Sequence, residues 1–258
     1  MRQVLIIPNR DQLEECLQLA KKYNLGFEYN DFFIPDVLDD NIQTESIIAE
    51  YKKQDLPAFT TLHGAFFDVT PFSEDAKIRE ISDLRIEQSI RIAKKLGAKA
   101  VIFHTNYNPF LNSKDYIQGW IQTNAAYWSR VMERHPEINI YLENMFDTTP
   151  DIMEALSEKM SVYGNYGVCL DYAHASLSKV APEVWAKRLG RFVKHVHVND
   201  NDLVSDLHLA WGDGQINRSH FYECFETYFK EATVLIETTP MENKIRSLEI
   251  LKKEDFIK

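Results

Sequence analysis

The strongest constraint on the fold is a regular alternation of short apolar runs with segments of helical spacing. The runs are rich in Val, Ile, Phe and Tyr, a composition typical of buried β-strands. Eight runs are predicted as strands: residues 4–8, 26–30, 58–63, 100–104, 139–143, 168–171, 192–198 and 233–237. The segments between them predict eight helices: residues 11–22, 44–51, 81–96, 117–133, 150–160, 182–189, 219–229 and 241–253. This rhythm predicts an α/β fold, a single (β/α)8 TIM barrel that forms one domain over residues 1–258.

Composition limits the class of protein. Hydrophobic residues make up 45% of the chain and charged residues 26%, as in an average soluble globular protein. No apolar run approaches the roughly 20 residues that span a bilayer, and the apolar start is too short for a signal peptide. The three cysteines are scattered without a CxxC pair, which favours reduced thiols. We therefore expect a cytoplasmic protein with no membrane partner.

Charge bears on the choice of partner. The formal net charge is −10, and residues 31–50 and 200–215, the loops after the second and seventh strands, contain no Lys or Arg. Proteins that bind nucleic acid usually present a basic face, so nucleic acid is an unlikely partner. Neither of the glycine-rich phosphate-binding motifs GxGxxG and GxxxxGK[ST] occurs. The main basic residues near the predicted mouth do not lie in a recognisable phosphate-binding loop. These residues are Lys77, Lys114, Lys179 and Arg218.

Ionisable side chains stand at the ends of six consecutive predicted strands, where a TIM barrel builds its active site. From the third strand onward they are His63, His104, Glu143, Asp171, His197 and Glu237. Three more lie just beyond strands: His174, Asp206 and His208. Several carboxylates in one mouth are costly unless a cation compensates them. Mixed imidazole and carboxylate ligands suit zinc or manganese, so the pattern predicts a divalent metal site.

The seventh predicted strand carries two histidines on one face. His195 and His197 are two residues apart, so both point into the barrel. His197 is nearer the strand end and is the predicted ligand. His195 lies one layer lower and is predicted to be a buried supporting histidine.

Four motifs follow one another along the chain: GVCLDYAH at 167–174, HVHVND at 195–200, the Asp206–His208 run and GDGQI at 212–216. In this order they resemble the xylose isomerase-like TIM-barrel superfamily, which holds sugar-phosphate isomerases and epimerases and also endonuclease IV. The Glu143–Asn144 and Glu237–Thr238 pairs fall in matching places. The resemblance extends from the third strand to the eighth and implies a metal-dependent enzyme with one to three divalent ions.

In the epimerase branch, the resemblance implies one ion held by Glu143, Asp171, His197 and Glu237. The two glutamates are the catalytic pair that moves a proton, and the metal stabilises the enediolate. His174 contacts a substrate oxygen. The chain departs from the ketose 3-epimerases at Leu203, where those enzymes carry an arginine.

In the endonuclease IV branch, the resemblance implies three zinc ions. The first is held by His63, His104 and Glu143, and the second by Asp171, His197, Glu237 and the shared Glu143. The third is held by His174, Asp206 and His208. Clustered metals of this kind activate water and bind phosphate oxygens.

The function that we favour from the sequence is a divalent-metal-dependent sugar or sugar-phosphate isomerase or epimerase. Its partner is a small-molecule carbohydrate, and Trp211 is predicted to contact the sugar by stacking. An endonuclease IV-like trinuclear zinc phosphoesterase acting on abasic DNA is the alternative. A metal-binding barrel without catalysis is a third reading. An oligomer is left open, because exposed barrel helices often pair.

Overall fold

The computed structural model of the chain describes residues 2–66 and 68–258. Its centre is a closed barrel in which each parallel strand pairs with the next and the last pairs with the first. The strands are β1 (Val4–Ile6), β2 (Gly26–Tyr29), β3 (Thr60–His63), β4 (Ala100–His104), β5 (Asn139–Glu143), β6 (Tyr166–Asp171), β7 (Val193–Val198) and β8 (Thr233–Ile236). The prediction of a (β/α)8 TIM barrel is confirmed.

Helices surround the barrel. They are α1 (Leu13–Tyr23), α2 (Pro35–Asp39), α3 (Asn41–Lys52), α4 (Ala76–Leu96), α5 (Lys114–Arg134), α6 (Asp151–Met160), α7 (Tyr172–Leu177), α8 (Pro182–Leu189), α9 (Arg218–Tyr228) and α10 (Met241–Lys253). A short 3-10 helix, Arg10–Gln12, precedes α1. No helix in the described part of the chain combines the length and the apolar character needed to cross a membrane.

The sequence pattern missed α2 and α7, because five or six residues are too short for a helical period to show. It also began α3 three residues late. The cap explains the real start: the Asp40 carboxylate accepts hydrogen bonds from the backbone N–H groups of Ile42 and Gln43. At the other end of the chain, β8 stops at Ile236, and the predicted last residue Glu237 still donates its N–H to the Val198 carbonyl oxygen at 2.9 Å.

Strand register sets up the candidate site. Parallel pairing places His104 beside Glu143, and Asp171 beside His197. Because these residues end their strands at the same rim, their side chains meet at the carboxyl-terminal mouth of the barrel. The barrel backbone therefore brings together residues that are far apart in sequence.

We expect a glycine in β2 to be essential to barrel packing. A Cβ on Gly26 would clash with the carbonyl oxygen of Phe59, which is backbone and cannot move freely. Gly26→Ala should lower the free energy of unfolding by about 1–3 kcal/mol, as overpacked core substitutions do. Denaturant unfolding followed by circular dichroism measures the change.

Gly119 supplies the matched control. It lies within α5, and nothing lies within 4 Å of an added Cβ. Gly119→Ala should raise stability by about 0.5–1 kcal/mol, because alanine loses less backbone entropy in a helix. Equal stability of the two alanine variants would contradict the packing argument.

Candidate metal centre

Glu143 lies at the centre of the barrel mouth. Its carboxylate is buried at the end of β5 and faces four imidazole rings. Glu143 Oε2 lies 3.5 Å from His63 Nε2, 3.5 Å from His104 Nε2 and 3.4 Å from His197 Nδ1. Glu143 Oε1 lies 3.6 Å from His174 Nδ1. One carboxylate thus connects residues from five different segments of the barrel rim.

The nine predicted ligand residues come together as adjoining groups. In each group the candidate ligand atoms lie within 4.8 Å of one another. The groups are His63, His104 and Glu143; then Glu143, Asp171 and His197; then His174, Asp206 and His208. Glu237 joins the second group, because its Oε1 lies 3.5 Å from His197 Nδ1. A further group, Cys169, His195 and His197, lies deeper in the barrel.

Buried polar atoms without partners suit a cation. Both oxygens of Glu143, Oδ2 of Asp171 and Nδ1 of His197 are buried and have no hydrogen-bond partner in the described residues. A buried acceptor left unsatisfied costs roughly 1–3 kcal/mol, and more when it is charged. A divalent ion bound by these oxygens and nitrogens would remove that cost. The donor set of carboxylate oxygens and imidazole nitrogens fits zinc or manganese.

The third group depends on the segment after β6 and the loop after β7. Asp171 caps α7 by accepting the His174 N–H at 2.6 Å, which turns His174 toward the mouth. His174 Nε2 lies 3.3 Å, and His208 Nε2 3.1 Å, from Asp206 Oδ2. His208 has a left-handed backbone conformation with φ of 48°, which is uncommon for a non-glycine residue and often marks a functional position.

Charge and burial act against each other at these residues. Burial raises the pKa of Asp171. Burial disfavours the charged form of both His208 and His174. The Asp206 carboxylate nevertheless raises the pKa of His208 to about 10. The charge of Asp171 likewise raises the pKa of His174 well above its ordinary value. Metal binding through these imidazoles would therefore displace protons, because only a neutral imidazole nitrogen coordinates.

The sequence analysis missed Glu28, which lies in β2 and is completely buried. Its Oε2 accepts a 2.6 Å hydrogen bond from the Thr61 hydroxyl and lies 3.1 Å from His195 Nε2. Its Oε1 lies 3.2 Å from His197 Nε2 in an ion-pair contact. The Glu28 carboxylate thus occupies one side of the His197 ring and leaves Nδ1 facing Glu143 and Glu237. An acidic residue inside an apolar strand was the available signal.

The prediction that His195 is buried is confirmed. The side chain is completely buried below His197, with its Nδ1 at 2.5 Å from Thr233 Oγ1 and its Nε2 on Glu28. Both ring nitrogens of His195 are therefore engaged by side chains of the barrel interior. This arrangement leaves His197, one layer higher, as the β7 histidine nearer the mouth.

A cavity of about 670 Å³ opens above the candidate centre. Seven of the nine predicted ligand residues line it: His63, His104, Glu143, His174, Asp206, His208 and Glu237. Arg10, which the sequence analysis did not single out, is the one Lys or Arg among its described lining residues. The Arg10 guanidinium is paired with Asp31 at 2.8 Å and with Glu50 at 3.4 Å, so its charge is largely compensated.

The expectation that Trp211 contacts substrate is wrong. The ring is completely buried and does not line the cavity. Its Nε1 donates to the Tyr222 hydroxyl at 3.1 Å, its backbone N–H donates to Ser247 Oγ at 2.9 Å, and its ring packs against Phe221. The loop after β7 directs Trp211 toward α9 and α10. Burial of the apolar ring there is more favourable than its exposure to water at the barrel mouth.

The chain is similar to known proteins in sequence and in fold. The sequence model of a family described as xylose isomerase-like TIM barrel matches residues 11–254. The chain belongs to the xylose isomerase-like TIM barrel family. The superfamily resemblance stated from the motifs is thereby confirmed. The chain is also 29% identical to the uncharacterized protein MJ1311 of Methanocaldococcus jannaschii over 203 residues, which are 74% of this chain and 68% of that protein.

Solved structures with similar folds include proteins of both xylose isomerase-like branches. The TTHB071 protein of Thermus thermophilus, soaked with ZnCl2, is 22% identical with a TM-score of 0.77, covering 98% of this chain and 97% of that one. A D-tagatose 3-epimerase-like protein is 22% identical with a TM-score of 0.75, covering 98% and 96%. Endonuclease IV of Thermus thermophilus is 16% identical with a TM-score of 0.64, covering 98% of each chain. At these identities the likeness shows the fold alone.

We expect Glu28→Gln to weaken zinc binding about 10- to 100-fold, the usual cost of losing a carboxylate that supports a ligating histidine. Glutamine keeps the shape of the side chain but removes the charge beside His197 and His195. Competition for zinc with a chromophoric chelator measures the affinity. Glu231→Gln, at an exposed position, is the control and should bind zinc as the unchanged chain does. Unaltered affinity in a folded Glu28→Gln protein would contradict the role given to Glu28.

Proposed function

We propose that this chain is a divalent-metal-dependent isomerase or epimerase that acts on a sugar or a sugar phosphate. The observation that carries the proposal is that Glu143 and Glu237 both open on the mouth cavity and both approach His197 Nδ1, at 3.4 and 3.5 Å. Two carboxylates that reach the same buried position can act as general base and general acid on a carbon next to a carbonyl. Asp171 and His197 complete the proposed metal shell.

The two carboxylates differ in access. The Glu237 side chain is 10% exposed, whereas that of Glu143 is 1% exposed and in contact with four imidazoles. Glu237 is therefore the residue that removes the proton from the carbon beside the substrate carbonyl. Contacting imidazoles hold the pKa of Glu143 well below its ordinary value, so Glu143 returns a proton on the other side only after taking one from an imidazole such as that of His63. The positive charge of His197 outweighs burial and lowers the pKa of Glu237, which keeps this base ionised at neutral pH. A bound divalent ion would make the carbon acid stronger by polarising its carbonyl.

The walls of the cavity support a small substrate. A DNA duplex needs several basic partners for its phosphates, whereas the described lining of this cavity offers only Arg10, already paired with two carboxylates. Sugar hydroxyls are uncharged and need hydrogen-bonding groups rather than cations. Asn30 and Thr239 at the cavity wall provide such groups.

We further propose that residues 1–258 act as one domain in the cytoplasm. All three cysteines are buried free thiols. Free thiols are the usual state in a reducing compartment. The proposed partner is a freely diffusing carbohydrate. We propose neither a nucleic acid nor a membrane as a partner.

Glu237→Gln should lower turnover by about 10²–10⁴-fold, the usual contribution of a positioned general base. The assay is incorporation of solvent deuterium into ketoses, aldoses and their phosphates, followed by NMR with the zinc- or manganese-loaded protein. Glu242→Gln, an exposed change on α10, is the control and should leave turnover unchanged. Incorporation of solvent deuterium by Glu237→Gln at the rate of the unchanged chain would contradict the acid–base role of Glu237.

A second candidate function is phosphoester hydrolysis by three zinc ions. The specific observation in its favour is the separate group of His174, Asp206 and His208, which a site with one ion does not need. The position of Glu143 between two groups also suits a carboxylate shared by two ions. Abasic DNA is the substrate proposed for this alternative.

The two candidates differ in the number of metal ions. For the phosphoesterase we expect about three zinc per chain in protein purified without chelators or a His-tag, and cleavage of an abasic oligonucleotide. Asp206→Asn should then reduce the count to about two and abolish cleavage, because Asp206 contacts both histidines of its group. Elemental analysis provides the count. About one ion per chain and no cleavage would reject the phosphoesterase and leave the isomerase.

A further inference from the structure

A second cavity, of about 570 Å³, opens beside the candidate centre. It lies between the loops that follow β3, β4 and β5. The mouth cavity and this one share three lining residues, Phe66, His104 and Met145. The two cavities therefore adjoin at these three side chains.

The outer wall of this second cavity is aromatic. Phe110, in the loop after β4, is 90% exposed, and Phe146, in the loop after β5, is 57% exposed. Single exposed apolar residues are normal, but two aromatic rings from separate loops in one cavity form a surface on which a planar group can stack. The cavity has no Lys or Arg and one carboxylate, Asp68, among its described lining residues. It therefore suits an uncharged ring.

The backbone of the loop after β4 is held in place before any ligand arrives. The side-chain amide of Asn106 donates to the carbonyl oxygens of Phe66 at 3.0 Å and Val69 at 2.9 Å, and so ties the loop after β4 to the loop after β3. Asn106 and Asp68 both have left-handed backbone conformations, with φ of 47° and 56°. Phe110 donates its backbone N–H to the Asn108 side chain at 3.0 Å. Ordering of this kind lowers the entropic cost of binding.

We propose that this second cavity binds a planar, uncharged ring covalently joined to the polar part of the substrate. The polar part lies at the candidate metal centre, and in this respect the inference rests on the proposed function. The substrate is thus a two-part molecule rather than a free monosaccharide. The ring is either an aryl aglycone or a nucleobase, since both stack on phenylalanine in the same way. The sugar that carries the ring has a keto group, because a glycosidic bond at the anomeric carbon leaves no other carbonyl for the proposed proton transfer.

Binding of four probes to the zinc-loaded protein tests the inference. The probes are phenyl and methyl β-D-glucopyranoside, and adenosine and methyl β-D-ribofuranoside, with dissociation constants from calorimetry and ligand-observed NMR. We expect at least one ring-bearing probe to bind about tenfold more tightly than its methyl partner. Preference for the phenyl glucoside identifies an aglycone site, and preference for adenosine a nucleobase site.

The double variant Phe110→Ser, Phe146→Ser should remove the advantage of the ring and leave methyl glycoside binding unchanged. Both side chains are exposed, so the fold should be retained. Val162→Ser changes an apolar side chain that is 79% exposed and lies outside the cavity, and should have no effect. Equal binding of ring and methyl probes, no binding of either ring probe, or an unaltered ring advantage in the double variant would each overturn the inference.

These outcomes are separable from failure of the proposed function. A ring advantage that persists in zinc-loaded Glu237→Gln and disappears in the double phenylalanine variant supports the second cavity even where no sugar is turned over. Sugar turnover without any ring advantage supports the isomerase and rejects the second cavity.

Discussion

The structure depends on how one buried carboxylate is compensated. Glu143 is withdrawn from water and faces four imidazole rings, each supplied by a different part of the barrel rim. An isolated carboxylate in such a place would be strongly destabilising, and protonated imidazoles or a metal ion beside it would supply the compensating positive charge. The register of β3, β4, β5 and β7 and the Asp171 cap of α7 bring these rings to the carboxylate.

The same arrangement accommodates two chemistries within the xylose isomerase-like TIM barrel family. The isomerase proposal uses four residues, His197 with Glu143, Asp171 and Glu237, whereas the adjoining groups on either side could extend the centre to three ions. What separates the alternatives lies outside the ligands: the surroundings of the mouth are acidic, and Arg10 is paired with Asp31 and Glu50. Under the proposed function, the cavity walls rather than the ligand residues would select the substrate, and the aromatic cavity beside the centre is the part of them proposed to bind a ring.

Periodicity and strand ends made much of this structure predictable. Every strand of the barrel appeared in the sequence as an apolar run, and the ionisable residues at the strand ends meet because parallel strands end at one rim. Glu28 escaped notice because its partners His195 and His197 lie about 170 positions away, across the barrel interior, and no local pattern reports such a contact. Trp211 was misjudged for a related reason: a loop residue can turn inward or outward, and only the packing of α9 and α10 decides.

The ion pair between Glu28 and His197 joins the first half of the barrel to the second. Glu143, Asp171, His197 and Glu237 all come from β5 or later elements, whereas Glu28 comes from β2. The second half of the chain thus carries the four residues proposed for the isomerase centre, and the first half supplies the counter-charge that fixes the orientation of one of them. Neither half supplies the proposed centre by itself, so any affinity of this centre for a metal would depend on closure of the ring of strands and could be used to measure that closure.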